Sequence, residues 1–320
     1  MTQDEAVQPA QPTLAPPDLL DRVISVLSIL ADLSRADALL CVREGAELRV
    51  LAHRRPHSIA PVHRGSLEGE TVSRQLSPTV YEALEQNRFT RGSRAHIEAE
   101  GAPVMQEAFP VRNEHGPVAV LVIETNLLEH ERLRRRNRVF QRALRNLKRM
   151  AARGEPLGAD RLSPFGEYDG IIYADSERTI RYMSGVATNL YRNLGYSESL
   201  LGKPLAFTET IDDELASQAL ATESCVEQEL QERGRTWVKK AIPVEQADGL
   251  PFLNRQRRAG VLIAVHDDTD ARRRERELKI KTTMIKEVHH RVKNDLQTVA
   301  ALLRMQGRRM QTEEAKLALA

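Results

Sequence analysis

The sequence predicts an α+β protein built from two small sheet-containing units, each running out into a long charged helix. Three observations carry this. Short apolar runs that alternate or pair across turns are interleaved with segments whose apolar residues recur at helical spacing. Two long stretches, 127–152 and the one starting at Asp270, carry dense charge with a periodic apolar stripe. A length of 320 residues fits two or three domains, and 41% hydrophobic with 29% charged residues fits globular domains with charged connectors.

Composition bounds the function. The formal net charge of +2 gives no global attraction to nucleic acid, and aromatics at 4% make each core largely aliphatic. Two distant cysteines, Cys41 and Cys225, in apolar or helical surroundings read as buried thiols of a reducing cytoplasm and exclude a Cys-rich zinc site. No run approaches the roughly 18 apolar residues of a membrane span, so neither a membrane partner nor a membrane location is expected. The start, MTQDEAVQPAQPTLAPP, lacks the basic start and apolar core of a signal peptide and reads as a disordered tail over 1–17.

The first unit spans 18–126. Asp18 can cap a helix in which Leu19, Val23, Val26, Leu27, Leu30 and Leu33 recur at helical spacing. ADALLCVRE and ELRVLAHRR read as two strands joined at EGAE, and SPTVYEALEQNRF as a short helix with Ser77 as cap and Pro78 in its first turn. MQEAFPVRNEHGPVAVLVIETN reads as a strand, a turn at Glu114–Pro117 and a strongly apolar strand.

Residues 127–153 then form a basic connecting helix, with Leu133, Phe140 and Leu147 seven apart and Leu144 completing the stripe. Eight arginines and one lysine fall within 131–150. RGEPLGADRLSPFGE, with Gly and Pro, reads as a linker over 154–167.

The second unit covers 168–270. YDGIIYADSERTIRYMSG gives strand, turn at Asp175–Arg178, strand; ATNLYRNLG and DDELASQALATESCVEQELQERG read as helical; RTWVKKAIPVEQ and RRAGVLIAVHDDT are closing strands. From 271 to 320 runs a further helix in which Leu278, Ile285, Val292 and Val299 are seven apart, with Val288, Leu296, Leu302 and Leu303 on the flanks. This heptad stripe is that of a helix packing on a partner helix.

That helix carries KEVHHRVKNDLQ, 286–297. On a helical wheel His289 falls at the margin of the apolar stripe and His290 almost opposite, facing solvent. Adjacent histidines therefore diverge, whereas metal ligands on one helix want a spacing of three or four, so a metal site is not expected. Glu287 and Asn294 lie on the His290 side, three before and four after it. A neutral imidazole is a usable nucleophile near pH 7. A carboxylate on one ring nitrogen would fix its tautomer, an amide could orient a water or phosphoryl oxygen, and Arg291 and Lys293 could offset phosphate charge. On spacing alone, a solvated helix face that holds a histidine remains an equal reading.

KEVHHRVKNDLQTVAALLRMQ closely resembles the phosphoacceptor helix of sensor histidine kinases, in the HisKA_2-type subgroup with signature E-[IV]-H-H-R-V-K-N-N-L-Q. Asp295 stands where the second Asn is usual. The resemblance implies that His290, directly before Arg, accepts the γ-phosphoryl group of ATP, that His289 packs or orients, and that Asn294 aids dephosphorylation. It also implies a homodimer, a first dimerisation helix over 271–320, and a response-regulator Asp as the onward acceptor. In this subgroup the regulator often carries an RNA-binding antiterminator domain.

Residues 18–126 resemble a GAF domain, and the segment through the basic helix resembles the N-terminal sensor module paired with this subgroup. Residues 168–270 resemble a PAS domain in the opening DGIIYADSERTIRYMSG and the exit HDDTDARRRERE, with Ser184 and Gly185 in place of the usual Asn-Pro. The implied architecture is tandem GAF-like and PAS-like domains joined by long helices and ending in a coiled-coil dimerisation helix.

After His290 come 30 residues and one glycine, Gly307, with no phosphate-cradling loop. The chain is therefore expected to hold the phosphoacceptor but no cofactor of its own, ATP and Mg being held by a separate catalytic domain. A small-molecule ligand in a GAF or PAS pocket is the default expectation. Cys225 lies outside a flavin-photoadduct motif, His266 reads as structural or surface, and Trp237 as core. Two rivals stand beside the kinase reading. One is a nucleic-acid binder using RLRRRNRVFQRALRNLKR, against which the good apolar stripe and single Phe argue. The other is a ligand-binding scaffold without phosphotransfer.

Overall fold

The computed structural model describes residues 18–95, 103–134, 137–166, 168–246 and 258–309. The chain divides into a unit up to Asp267 and a second unit from Asp268.

In the first unit, helix α1 (Leu19–Ser34) starts at Asp18, whose side chain accepts from the Leu19 N–H, and ends at Arg35 in the left-handed region. Strands β1 (Asp37–Glu44), β2 (Glu47–Arg54) and β3 (Thr71–Val72), helix α2 (Pro78–Glu85), and strands β4 (Thr90–Ala95), β5 (Pro103–Asn113) and β6 (Gly116–Asn126) follow. The six strands form an antiparallel sheet of order β3-β2-β1-β6-β5-β4. The period-two pattern sorts its two faces. Leu39, Cys41, Leu48, Val50, Ala108, Val120 and Val122 pack under α2. Ala38, Leu40, Phe109, Val111, Leu121 and Ile123 point the other way, onto α1.

Two helices follow, α3 (Leu127–Arg134) and α4 (Arg138–Ala151). Asn137 starts α4 by accepting from the Val139 N–H at 2.8 Å. Arg138, Arg142, Arg145 and Arg149 are exposed, so the basic face is solvated, but the apolar stripe does more than connect. Phe140, Ala143, Leu144 and Leu147 of α4 are buried, and α4 touches both α1 and the second sheet. Lys148, one of the nine basic residues, is buried too, its Nζ 2.5 Å from Glu107 Oε2. Burial works to raise the Glu107 carboxyl, and Lys148 first, with Arg91 and His130, more than offsets it, holding the carboxyl below its ordinary value. The segment 154–167 also differs from a free linker: a short 3-10 turn forms at Ala159–Arg161, and Ala159 and Phe165 join the core.

The second sheet contains β7 (Gly170–Ala174), β8 (Ile180–Met183), β9 (Val226–Glu232), β10 (Arg235–Gln246) and β11 (Arg258–Asp267), antiparallel in the order β8-β7-β11-β10-β9. Helices α5 (Gly185–Asn193) and α6 (Asp212–Thr222) cover one face over Ile172, Ala174, Trp237, Val261, Ile263 and Val265. Ser184 caps α5, its Oγ accepting from Ala187 N–H and from Ile171 N–H. The opposite face, with Tyr173, Ile242, Val244, Leu262 and Ala264, joins the same core as α1 and α4. Those two helices thus lie between the sheets, and the apolar runs of β6 and β11 are continuous because both faces of each strand are covered.

One further sequence expectation needs correction. Residues 226–232, read as helical, form the edge strand β9, paired to β10. Glu223 in the left-handed region stops α6, and the Cys225 N–H donates to the Leu157 carbonyl. Glu and Gln are good helix formers, but one face of a polar edge strand tolerates them equally. The edge strands β3 and β4 were not read from the sequence. Trp237 is core as expected, and His266 holds Asp169 through Nδ1 at 2.7 Å. Both cysteines are buried free thiols, burial raising Cys225 to about 12. No helix among the described residues is long and apolar enough to cross a membrane.

The second unit is helix α7 (Thr269–Arg309), 41 residues and about 60 Å long.

Candidate functional site: the histidine helix

Nothing in 269–309 breaks α7. Its interior lacks proline, and its charges alternate in sign along the surface, giving pairs such as Arg273–Glu277 four residues apart. A lone helix of this length draws little stability from propensity, so its apolar stripe must be covered by something. Leu278, Ile285, Val292 and Val299 are between 49% and 64% exposed. This is the largest row of exposed apolar side chains among the described residues, at the heptad spacing that the sequence shows.

All the candidate residues lie on α7 within two turns and all are exposed. His290 Nδ1 is 3.3 Å from Asn294 Nδ2, one turn on. Glu287 was expected to hold the imidazole. Instead its Oε1 accepts from Arg291 Nε at 3.1 Å. An exposed pair four apart on a helix contributes only about 0.3–0.5 kcal/mol, so exchange of that carboxylate to another partner costs little. Lys293 and His289 are exposed on either side.

The His290–Asn294 contact has chemical content because an amide is two-ended. With the amide N–H donating, Nδ1 must be the unprotonated nitrogen, and the proton sits on Nε2. With the amide turned so that Oδ1 faces the ring, Nδ1–H donates to it, and Nε2 keeps its lone pair. The second arrangement leaves the outward nitrogen as a nucleophile in open solvent. Either way the Asn294 amide, at this distance, can fix the imidazole tautomer.

A different polar cluster, which sequence reasoning passed over, lies in the first sheet. His63, Gln106 and Glu124 are buried there. Counting outward from the turn at 114–115 sets Gln106 opposite Ile123; an irregularity between Val111 and Arg112 shifts the register by one and brings Gln106 opposite Glu124, so the pair could not be read from the sequence.

A mixed α/β sensory region that leads into a solvent-facing helix with an exposed histidine is the layout of a signal-transducing sensor kinase. Comparison with known proteins agrees. The family model described as histidine kinase PdtaS, GAF domain, matches residues 12–143, and the histidine kinase model HisKA_2 matches residues 287–320. The chain thus carries a GAF sensory region like that of histidine kinase PdtaS and a histidine helix of the HisKA_2 type.

Among curated relatives, the sensor histidine kinase PdtaS of Mycolicibacterium smegmatis is 31% identical over 97% of this chain and 64% of its own length. The protein of the same name from Mycobacterium tuberculosis is 30% identical over 94% of this chain and 62% of its own length. The chain therefore spans just under two thirds of these relatives. A solved structure described as the sensor region of a sensor histidine kinase superposes with a TM-score of 0.57 at 25% identity, covering 79% of this chain and 92% of that one.

Proposed function

We propose that this chain is the sensory and phosphoacceptor portion of a cytoplasmic two-component histidine kinase, with His290 as the phosphorylated residue. One observation carries the reading: within the HisKA_2 match, His290 is exposed and has a hydrogen-bonding amide, Asn294, one helical turn away. The Nε2 lone pair would attack the γ-phosphorus of ATP while the bond to the ADP oxygen breaks. The Nδ1 proton then leaves to solvent, to which this face is open. Arg291 and Lys293 flank the histidine and would offset phosphoryl charge.

The remaining assignments follow from that reading. ATP and Mg would be held by a catalytic domain outside this sequence. The stripe from Leu278 to Val299 would be covered by the same helix of a second copy in a parallel coiled coil, over the segment 271–320. The first sheet with its helices is the GAF-like domain of 18–126. The second, 168–270, is PAS-like, its strand–turn–strand–helix opening and antiparallel sheet supporting that name. A response-regulator Asp would take the phosphoryl group onward, with Asn294 aiding its hydrolysis from His290. No direct contact with nucleic acid is assigned to this chain, since α4 uses its stripe, and Lys148, within the core.

The test mixes the chain with [γ-32P]ATP and a separately made ATP-binding domain of the subgroup, beside His290→Gln and His289→Gln. Acid-labile label that disappears only in His290→Gln is the expected result. Loss only in His289→Gln would move the site to the neighbouring residue. An unlabelled parent chain, with a catalytic domain active on a known substrate, would leave a ligand-binding scaffold as the better description.

A further inference from the structure

A cavity of about 360 Å³ opens between the edge of the first sheet and the two helices that follow it. β4 and β5 contribute Arg91 and Glu107, α3 contributes His130, and α4 contributes Arg145, Lys148 and Arg149. Four fixed cations thus face one carboxylate in the described lining, in a chain whose formal net charge is only +2. The concentration of charge is local and does not follow from composition. Lys148 is already matched, its Nζ on Glu107. The arginines are not. Elsewhere arginines take carboxylates, as Arg74 takes Glu85, Arg181 takes Asp175 and Arg235 takes Asp267. Among the described residues no carboxylate pairs with Arg91, Arg145 or Arg149. Arg91 reaches His130 Nε2 instead. A guanidinium can only donate, so that nitrogen accepts and the imidazole is neutral. Burial, then Arg91 and Lys148, hold His130 below its ordinary value against the pull of Glu107 and Glu131. The cavity already disfavours one more positive charge.

From this geometry we infer that the cavity binds a compact polyanion, a small molecule whose phosphate or carboxylate groups are held by Arg91 from the sheet edge and by Arg145 and Arg149 from α4. Guanidinium forks match both oxyanions bidentately, and such charge-assisted bonds are about twice as strong as neutral ones. Arg145 and Arg149 stand one helical turn apart, about 6 Å along the axis, which suits an anion with two charged groups. The lining selects against other classes. Only Phe89 and Leu144 among its described residues are apolar, so an acyl chain finds little surface. A cation would meet like charge. The volume lies at the low end of small-molecule sites, which fits a compact ligand. A bound polyanion would tie the sheet edge to α4, whose apolar side lies in the core shared by both sheets.

The readout is binding, so the result does not depend on the phosphotransfer reading. Calorimetry on the full chain, without added divalent metal, would use pyrophosphate and citrate as probes, beside inorganic phosphate. At least one of the first two should bind at one site per chain, and the tighter of them separates phosphoryl from carboxylate chemistry. Inorganic phosphate should be about tenfold weaker than that probe. Arg91→Gln, Arg145→Gln and Arg149→Gln should each weaken it about tenfold. Arg138→Gln, on the same helix outside the cavity, should leave it unchanged. All four side chains are exposed, so the variants should keep the parent's fold, which a thermal melt of each checks. The proposal is overturned if neither probe binds saturably, or if Arg138→Gln weakens binding as much as the cavity variants. It is also overturned if binding survives Arg91→Gln, because diffuse charge on α4 would then account for it.

Discussion

Replacing Leu147 by Ala tests whether α4 is a spine of the core or an exposed connector. Leu147 is fully buried, in a cluster that includes α1, the inner face of the first sheet and the inner face of the second. Deleting a buried leucine to alanine costs 2–5 kcal/mol, according to how far the site collapses. A position enclosed by two sheets and a helix has little room to collapse, so about 3 kcal/mol is expected. For a unit of this size each kcal/mol shifts Tm by about 2–4 °C, which gives a fall of about 6–12 °C. Val139→Ala on the same helix is the control: Val139 is 37% exposed, and its change should stay within about 0.5 kcal/mol. The assay is thermal unfolding of the full chain followed by far-ultraviolet circular dichroism, with Trp237 fluorescence reporting the second sheet. Both signals should move together, because the sheets share one core. A Leu147→Ala transition within 2 °C of the parent would refute the reasoning. So would a shift confined to one signal.

Other perturbations separate the remaining contacts. Lys148→Met leaves the Glu107 carboxylate without its cation. The parent's Glu107 carboxyl is held below its ordinary value, so its stabilising contribution is full above about pH 4.5 and is lost as pH falls through the lowered value. The Tm gap between parent and variant should therefore be widest near pH 7 and close toward pH 3; a constant gap would contradict the pairing. Lys239→Met strips the cation from Asp212 and Glu232, 2.9 and 2.8 Å away, and should destabilise by about 3 kcal/mol in urea unfolding. An unchanged midpoint would show that the network is neutral. Ile285→Asp should weaken self-association at least tenfold by sedimentation equilibrium, while Lys293→Asp, off the stripe, should not. Equal effects would mean that the stripe is not the seam. Asn294→Asp should leave labelling of His290 detectable and alter the lifetime of the phosphohistidine; an unaltered lifetime removes Asn294 from dephosphorylation.

The legible parts of this fold were those whose signal is local. The stripe of α1, the turn EGAE between β1 and β2, and the apolar hairpin of β5 and β6 each lie within one window of sequence, and the structure has them there. What escaped depends on partners far along the chain. Phe140 and Leu147, seven apart, satisfy a coiled-coil pattern and a helix between two sheets equally well, since period reports the face and not what covers it. β9 escaped because VEQELQE has few apolar residues to show a period, and only pairing to β10 makes it a strand. At the candidate site, every residue from Arg273 to Gln306 is exposed, so burial does not set apart the face that the wheel gives His290. The pairing of Glu287 with Arg291 was not legible, because three side chains within reach of one another are sorted by energies below 1 kcal/mol.

The shared core bears on how an input could reach the histidine helix. β6 carries Val120 and Val122 on its α2 side and Leu121 and Ile123 on its inner side. A displacement of one face is therefore a displacement of the other, through a single strand. Of the helices on that inner face, α4 also meets β10, which pairs along its length with β11, and a single residue, Asp268, separates β11 from α7. Close-packed interiors switch between discrete arrangements and do not deform continuously. A ligand then acts only through the difference in its affinity for two such arrangements. If β6 and β11 belonged to separately folding domains, that difference would be spent locally. Because Leu121 and Ile123 of β6 and Leu262 and Ala264 of β11 face one core, the cooperative unfolding tested by Leu147→Ala is also the precondition for any such relay. Two separate transitions would remove the physical basis for it.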